Sequence, residues 1–147
     1  MPQLSMHSPV GDLTLAEEAG AIVSLDWGWG GDQVATPLLT RVRSALNRYF
    51  DGAALPDDLP LAPDGSPYAR KVWAALRQIP PGETRTYADI AAVAGGSPRS
   101  VGTANGRNPI PLLIPCHRVV GRAGLGGYSG GDGIATKRFL LDLEAAA

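Results

Sequence analysis

The chain has 147 residues, of which 44% are hydrophobic and 18% charged, with a net charge of −1. That is a globular composition, enough for one ordinary domain or two small ones, and no apolar run approaches the roughly 18 residues of a membrane span. The single cysteine, Cys116, excludes an internal disulfide and a cysteine-built zinc site, and it suits a reducing compartment. Met1-Pro2-Gln3-Leu4 lacks a basic stretch leading into an apolar one, so no signal peptide is expected and the chain reads as soluble and cytoplasmic.

The even charge conceals an asymmetry. Residues 1–66 hold 3 Lys/Arg against 9 Asp/Glu, while residues 67–147 hold 10 against 5. The second half therefore has the charge to face an anionic partner, with nucleic acid the obvious candidate.

In chain order, Ser8-Pro9-Val10-Gly11-Asp12 has turn chemistry. Leu13–Leu15 and Ile22–Leu25 read as short strands separated by a turn at Gly20. From Pro37 to Tyr49, Leu38, Leu39, Val42, Leu46 and Tyr49 recur at helical spacing. The proline-rich stretch from Asp51 to Pro67 reads as a linker or long surface loop, which puts a boundary between residues 1–62 and 63–147. Ser66-Pro67 begins a second helix with the stripe Tyr68, Val72, Trp73, Leu76 and Ile79, stopped by Pro80-Pro81-Gly82. Thr86 and Asp89 predict a capping box for a third helix, which ends at Gly95-Gly96. Ser97-Pro98 starts a fourth, ending near Asn105-Gly106, and the pair forms a helix-turn-helix. Ile110–Ile114 is expected to be buried and extended, and the glycine-rich run from Gly121 to Gly133 irregular. Lys137–Glu144 is expected to be a last amphipathic helix with Phe139, Leu140 and Leu143 inward.

The chemistry concentrates at Ile114-Pro115-Cys116-His117-Arg118-Val119-Val120. A thiol reacts as thiolate, and neighbouring imidazole and guanidinium groups favour that form. With Gly82–Tyr87, Arg99-Ser100-Val101-Gly102, Asn108-Pro109 and Tyr128-Ser129-Gly130-Gly131 in order around it, the segment Tyr68–Glu144 resembles the C-terminal domain of O6-alkylguanine-DNA alkyltransferases, the methylated-DNA–protein-cysteine methyltransferases. Ser8–Leu15 also resembles the start of the family's smaller bacterial members.

The resemblance implies an α+β protein: a small N-terminal sheet with one or two helices, then a helical, winged-helix-like domain with the helix-turn-helix. It implies irreversible transfer of an alkyl group from guanine O6 to Cys116, one lesion per molecule, after the base has flipped out of the duplex. His117 matches the base, acting through a bridging water; Glu144 matches the carboxylate that orients it; Asn108, with Pro109, matches the holder of the active-site turn. Tyr87 matches the tyrosine that crowds the target phosphate, and Arg99 the arginine that fills the vacated stack. Gly102 and Ala104 would let the second helix of the motif approach the minor groove. Tyr128 and Ser129 lie on the loop that closes over the base, backbone carbonyls around Cys116 and Val119 would read its exocyclic amine, and Arg118 takes a phosphate-side or structural place.

No cofactor, metal, membrane or obligate protein partner is implied. The partner is double-stranded DNA bearing the lesion, contacted largely without regard to sequence and less tightly as salt rises. The chain departs from the family pattern in being about two residues shorter between Tyr87 and Arg99, which leaves Arg107 as an alternative to Arg99. The competing readings are a non-catalytic alkyltransferase-like lesion binder, which carries another residue in place of the cysteine, a helix-turn-helix regulator and a cysteine hydrolase.

Overall fold

The computed structural model describes residues 1–147. Its N-terminal part is a three-stranded antiparallel meander of β1 (Gln3–Met6), β2 (Leu13–Glu18) and β3 (Ala21–Trp27), in spatial order β1-β2-β3. The expected strands are present and longer, and β1 was not anticipated. Ala19 and Gly20 both take positive φ (52° and 81°) between the paired Glu18 and Ala21. A two-residue loop of that hand matches the twist of its strands.

Helix α1 (Pro37–Phe50) lies on this sheet. Thr36 caps it by accepting from the Leu39 amide at 3.1 Å, and Leu39, Val42, Ala45, Leu46 and Tyr49 form its buried face. The following proline-rich segment is irregular, as expected, but it is not a free linker. Ile22 N–H donates to the Pro60 carbonyl (2.8 Å) and Ala62 N–H to the Ile22 carbonyl (2.8 Å), which pins the segment along β3, and Leu59 is buried.

The C-terminal part packs α2 (Pro67–Leu76), α3 (Tyr87–Ala94) and α4 (Pro98–Gly106) against one another. The Thr86–Asp89 capping box of α3 is formed, and Ser97 and Ser100 make a second one for α4. Gly95 and Gly96, both at positive φ, turn the chain between them into the helix-turn-helix. Two-residue strands β4 (Arg85–Thr86) and β5 (Val119–Val120) pair in parallel, tying the start of α3 to the chain just after the cysteine.

Every residue from Ile110 to Val119 is buried. The stretch is not extended, however: Leu113 N–H donates to the Pro111 carbonyl and Ile114 N–H to the Ile110 carbonyl (both 2.9 Å), and Leu112 has a φ of 70°. A knot of local turns lets so apolar a segment satisfy its own amides inside the core. It runs into a single 3-10 turn, Cys116–Arg118.

The last helix, α5 (Ile134–Ala146), starts three residues earlier than expected. Phe139 points outward and is 40% exposed; Lys137, Leu140 and Glu144 are the buried side. One apolar core of 26 residues runs through both parts, from Leu4 to Leu140.

Candidate active site

Cys116 begins the 3-10 turn, and its amide donates to the Ile114 carbonyl at 2.7 Å. Asn108 braces the approach: its Nδ2 donates to the Ile114 carbonyl (2.8 Å) and its Oδ1 accepts from the Ile110 amide (2.9 Å). From α4, the buried Asn105 donates through Nδ2 to the Cys116 carbonyl at 3.3 Å. Burial pushes the Cys116 thiol up, against the opposing pull of Asn108, the Lys137 ammonium and Tyr128. The resting group is therefore a thiol that requires a base.

The state of the neighbouring imidazole follows from the donors around Glu144. Glu144, on α5, accepts from His117 Nε2 (2.7 Å), Arg118 Nε (2.8 Å), Arg118 Nη2 (2.9 Å) and Tyr49 Oη (2.5 Å). Burial pushes its carboxyl up, but the hydrogen bonds from His117, Arg118 and Tyr49 outweigh burial and hold it at about 2. Glu144 is therefore a carboxylate, which can only accept. His117 must then carry its proton on Nε2 and leave the lone pair on Nδ1, an atom that is buried and has no partner in the protein. Burial also pulls the His117 pKa down, more than Glu144 raises it, so the ring is neutral and able to take a proton.

The structure takes Arg118 out of the phosphate-side place and into the structural one, the two having been expected as alternatives. It is buried, both its Nε and Nη2 engage Glu144, and its Nη1 donates to the Ile79 carbonyl at 2.7 Å. Three of its five N–H donors are engaged inside the core, two of them in holding the carboxylate. Ala104 is corrected likewise: it is buried in the core and its carbonyl accepts from Trp73 Nε1 at 2.9 Å, so it does not lie on the outer face of α4. Gly102 is half-buried against Tyr87, whose ring would lie 3.8 Å from an added Cβ. Arg99 and Arg107 are both exposed, at opposite ends of α4.

A cavity of about 500 Å³ opens beside the thiol, lined among others by Gly102, Asn105, Asn108, Cys116, Tyr128 and Ser129. Tyr128 is half-buried; burial first, then the Cys116 sulfur, raises its pKa, and its hydroxyl reaches no partner with hydrogen-bond geometry. Ser129 is exposed at the rim. Tyr87 opens α3 with its hydroxyl beside the backbone of Gly126 and Gly127, and burial raises its pKa too. Val119 is buried, and its carbonyl accepts from Lys137 Nζ at 2.7 Å.

Three residues escaped the sequence reading. Tyr49 looked like one more apolar position of α1, and nothing local announces a partner 95 residues away. Lys137 is fully buried; its Nζ also donates to the Gly127 carbonyl (3.1 Å), strapping the glycine-rich loop to β5. Its spacing of three and seven residues from Leu140 and Glu144 was the available signal. Trp27, at the end of β3, lines the cavity with Cys116. No cluster of His, Cys, Asp or Glu suited to a metal ion is present.

Two family models match the chain. The 6-O-methylguanine DNA methyltransferase DNA-binding domain covers residues 67–146, and the ribonuclease-like domain of the same family covers residues 4–63. The constitutive methylated-DNA–protein-cysteine methyltransferase of Bacillus subtilis is 43% identical over 94% of this chain and 92% of its own length. A methylated-DNA–protein-cysteine methyltransferase of Methanosarcina barkeri is 42% identical over 95% and 94%. Among solved structures, Mycobacterium tuberculosis OGT in complex with DNA superposes with a TM-score of 0.89 at 40% identity, covering 99% of this chain and 94% of that one.

Proposed function

The chain belongs to the 6-O-methylguanine DNA methyltransferase family, and from that premise we propose that it repairs DNA by moving the alkyl group of O6-alkylguanine onto Cys116. It is a methylated-DNA–protein-cysteine methyltransferase whose partner is DNA and which acts once. Thioether is a poor leaving group, so nothing regenerates the thiol. The observation that carries the assignment of roles is the four-donor clasp on Glu144, because it leaves His117 Nδ1 as a buried, neutral, unpartnered acceptor on the residue next to the thiol.

The flipped base enters the cavity over Cys116. His117 Nδ1 takes the thiol proton, directly or through one water. The Sγ–carbon bond forms as the carbon–O6 bond breaks in line, and the electron pair stays on O6. The proton lost by the thiol balances the one guanine regains at N1. Glu144 stabilises the imidazolium, while Arg118 and Tyr49 keep Glu144 ionised and fixed. Asn108 and Asn105 set the thiol's position through the carbonyls of Ile114 and Cys116. Tyr87, Tyr128, Ser129 and the carbonyl of Val119 are the base-side contacts, and Arg99 on the first turn of α4 supports the stack that the base leaves.

A cytoplasmic setting fits a free reactive thiol, and no helix is long and apolar enough to cross a membrane. The test is intact-protein mass after incubation with a duplex carrying one O6-methylguanine. The expected result is a gain of a single methyl group by the wild type and none by Cys116→Ser. A second methyl, release of the label, or methylation of the Ser variant would overturn the assignment.

A further inference from the structure

Part of the wall of the acceptor cavity comes from the N-terminal sheet. Leu25, Asp26 and Trp27, the last residues of β3, line it together with Cys116 and Tyr128. Trp27 meets Tyr128 edge to face, with ring centroids 6.4 Å apart and planes at 84°. It also presses on the loop beyond Tyr128. A Cβ added to Gly130 would fall 2.5–2.6 Å from three atoms of the indole, and one added to Gly131 would fall 3.2 Å from it. Gly130 is buried, so the contact is part of the packed wall.

The strand end that carries the indole is also firmly seated. Leu25 N–H donates to the Pro109 carbonyl at 2.9 Å, which fastens β3 to the turn that Asn108 organises. Leu13 pairs with Trp27 across the sheet, and Gly28 N–H donates to the Asp12 carbonyl at 2.8 Å just after it. A rigid aromatic on a strand end that contacts both the tyrosine beside the thiol and the closing loop fixes how far that loop can retreat from an incoming group.

We propose that Trp27 is a specificity-determining residue, setting the size of the alkyl group that can be carried into the space between guanine O6 and Cys116. A bulky aryl-methyl group such as benzyl needs more room beside Cys116 than methyl does, and the indole stands against Tyr128 and Gly130, where that room would have to open. This inference rests on the transferase reading above, because it assigns selectivity to that same site.

The experiment is a competition. Wild type, Trp27→Phe and Trp27→Ala are each given an equal excess of two duplexes, one with O6-methylguanine and one with O6-benzylguanine. The ratio of S-benzyl to S-methyl protein is then read by intact mass. Because each molecule reacts once, the ratio reports relative transfer rates and is insensitive to a fraction of misfolded protein. The expected ratio rises by at least about tenfold in Trp27→Ala, the scale on which pockets discriminate by a few carbon atoms, and takes an intermediate value in Trp27→Phe.

A second arm tests the contact. Gly130→Ala should slow methyl transfer, and Trp27→Ala in the same chain should restore it, since the added methyl meets the indole. An unchanged benzyl-to-methyl ratio with methyl transfer intact, or an equal loss of both reactions, overturns the role of Trp27. Failure of the wild type to accept an alkyl group from either duplex overturns the transferase reading instead.

Discussion

Glu144 illustrates how one buried carboxylate can organise a reaction. Four donors from three residues on two elements, α1 and the 3-10 turn, converge on it, among them Arg118 with two nitrogens. A buried charge is tolerated only when its lone pairs are filled in this way. The arrangement also fixes the pH response. Glu144 sits at about 2 against an ordinary 4.5, and burial holds His117 below its ordinary 6.5. Both groups bind protons more tightly in the unfolded chain. Their contribution to stability is complete above 6.5, begins to fade below it through His117, and is lost steeply between 4.5 and about 2 as Glu144 protonates. Cys116 is shifted the other way, above its ordinary 9.0, so its contribution holds below 9.0 and declines at higher pH. Melting temperature followed across pH should show a plateau between those limits and fall on both sides. A maximum below pH 6.5 would contradict the neutral, buried imidazole.

At the scale of elements, the decisive joint is the turn between α3 and α4. Gly96 has a φ of 78°, and a Cβ there would lie 2.4 Å from the Tyr68 hydroxyl and 2.5 Å from Ser100 Oγ. Those two oxygens already bond each other at 2.8 Å, and Ser100 is half of the α4 capping box. Replacing Gly96 with Ala imposes left-handed strain, about 1–2 kcal/mol for an ordinary residue, and displaces Tyr68 from the cap. Chemical denaturation should show a loss of at least that size. Affinity for lesion duplex should fall as well, because α4 begins at this joint and carries Arg99. Unchanged stability with Ala at position 96 would mean that the turn can relax without cost.

For the whole molecule, the relevant fact is that the core does not respect the boundary suggested by the proline-rich segment. One apolar cluster joins the sheet, α1 and the C-terminal helices. Tyr49 reaches from α1 into the His117–Glu144 relay, and β3 is bonded to the Asn108–Pro109 turn. The N-terminal part is thus a structural wall of the reaction site as well as a neighbour of it. We expect a single cooperative unfolding transition, with near-ultraviolet circular dichroism of the tryptophans and loss of Cys116 protection from thiol reagents having the same midpoint. Separate midpoints would show that the two parts hold together only loosely.

Much of this was written locally. Proline and serine or threonine signals marked the starts of α1, α2, α3 and α4, because caps and first turns are satisfied by residues three positions away. The cysteine, its histidine and the glycine-rich loop were legible as a motif, since in this chain they stand close together along the sequence. Three things were decided only by tertiary structure. The Ile110–Ile114 run could be seen to be apolar, but whether it runs extended or coils into turns depends on what surrounds it. Ala104 looked available to DNA and Arg118 suited either a phosphate-side or a structural place, and only packing showed that both face inward. Tyr49 and Trp27 carry no local mark of their roles, because their partners are brought to them by the fold and lie far away in sequence, and Lys137 shows only its register with Leu140 and Glu144. Sequence periodicity reports which side of an element is apolar; which polar atom meets which across the core is set by how the elements pack.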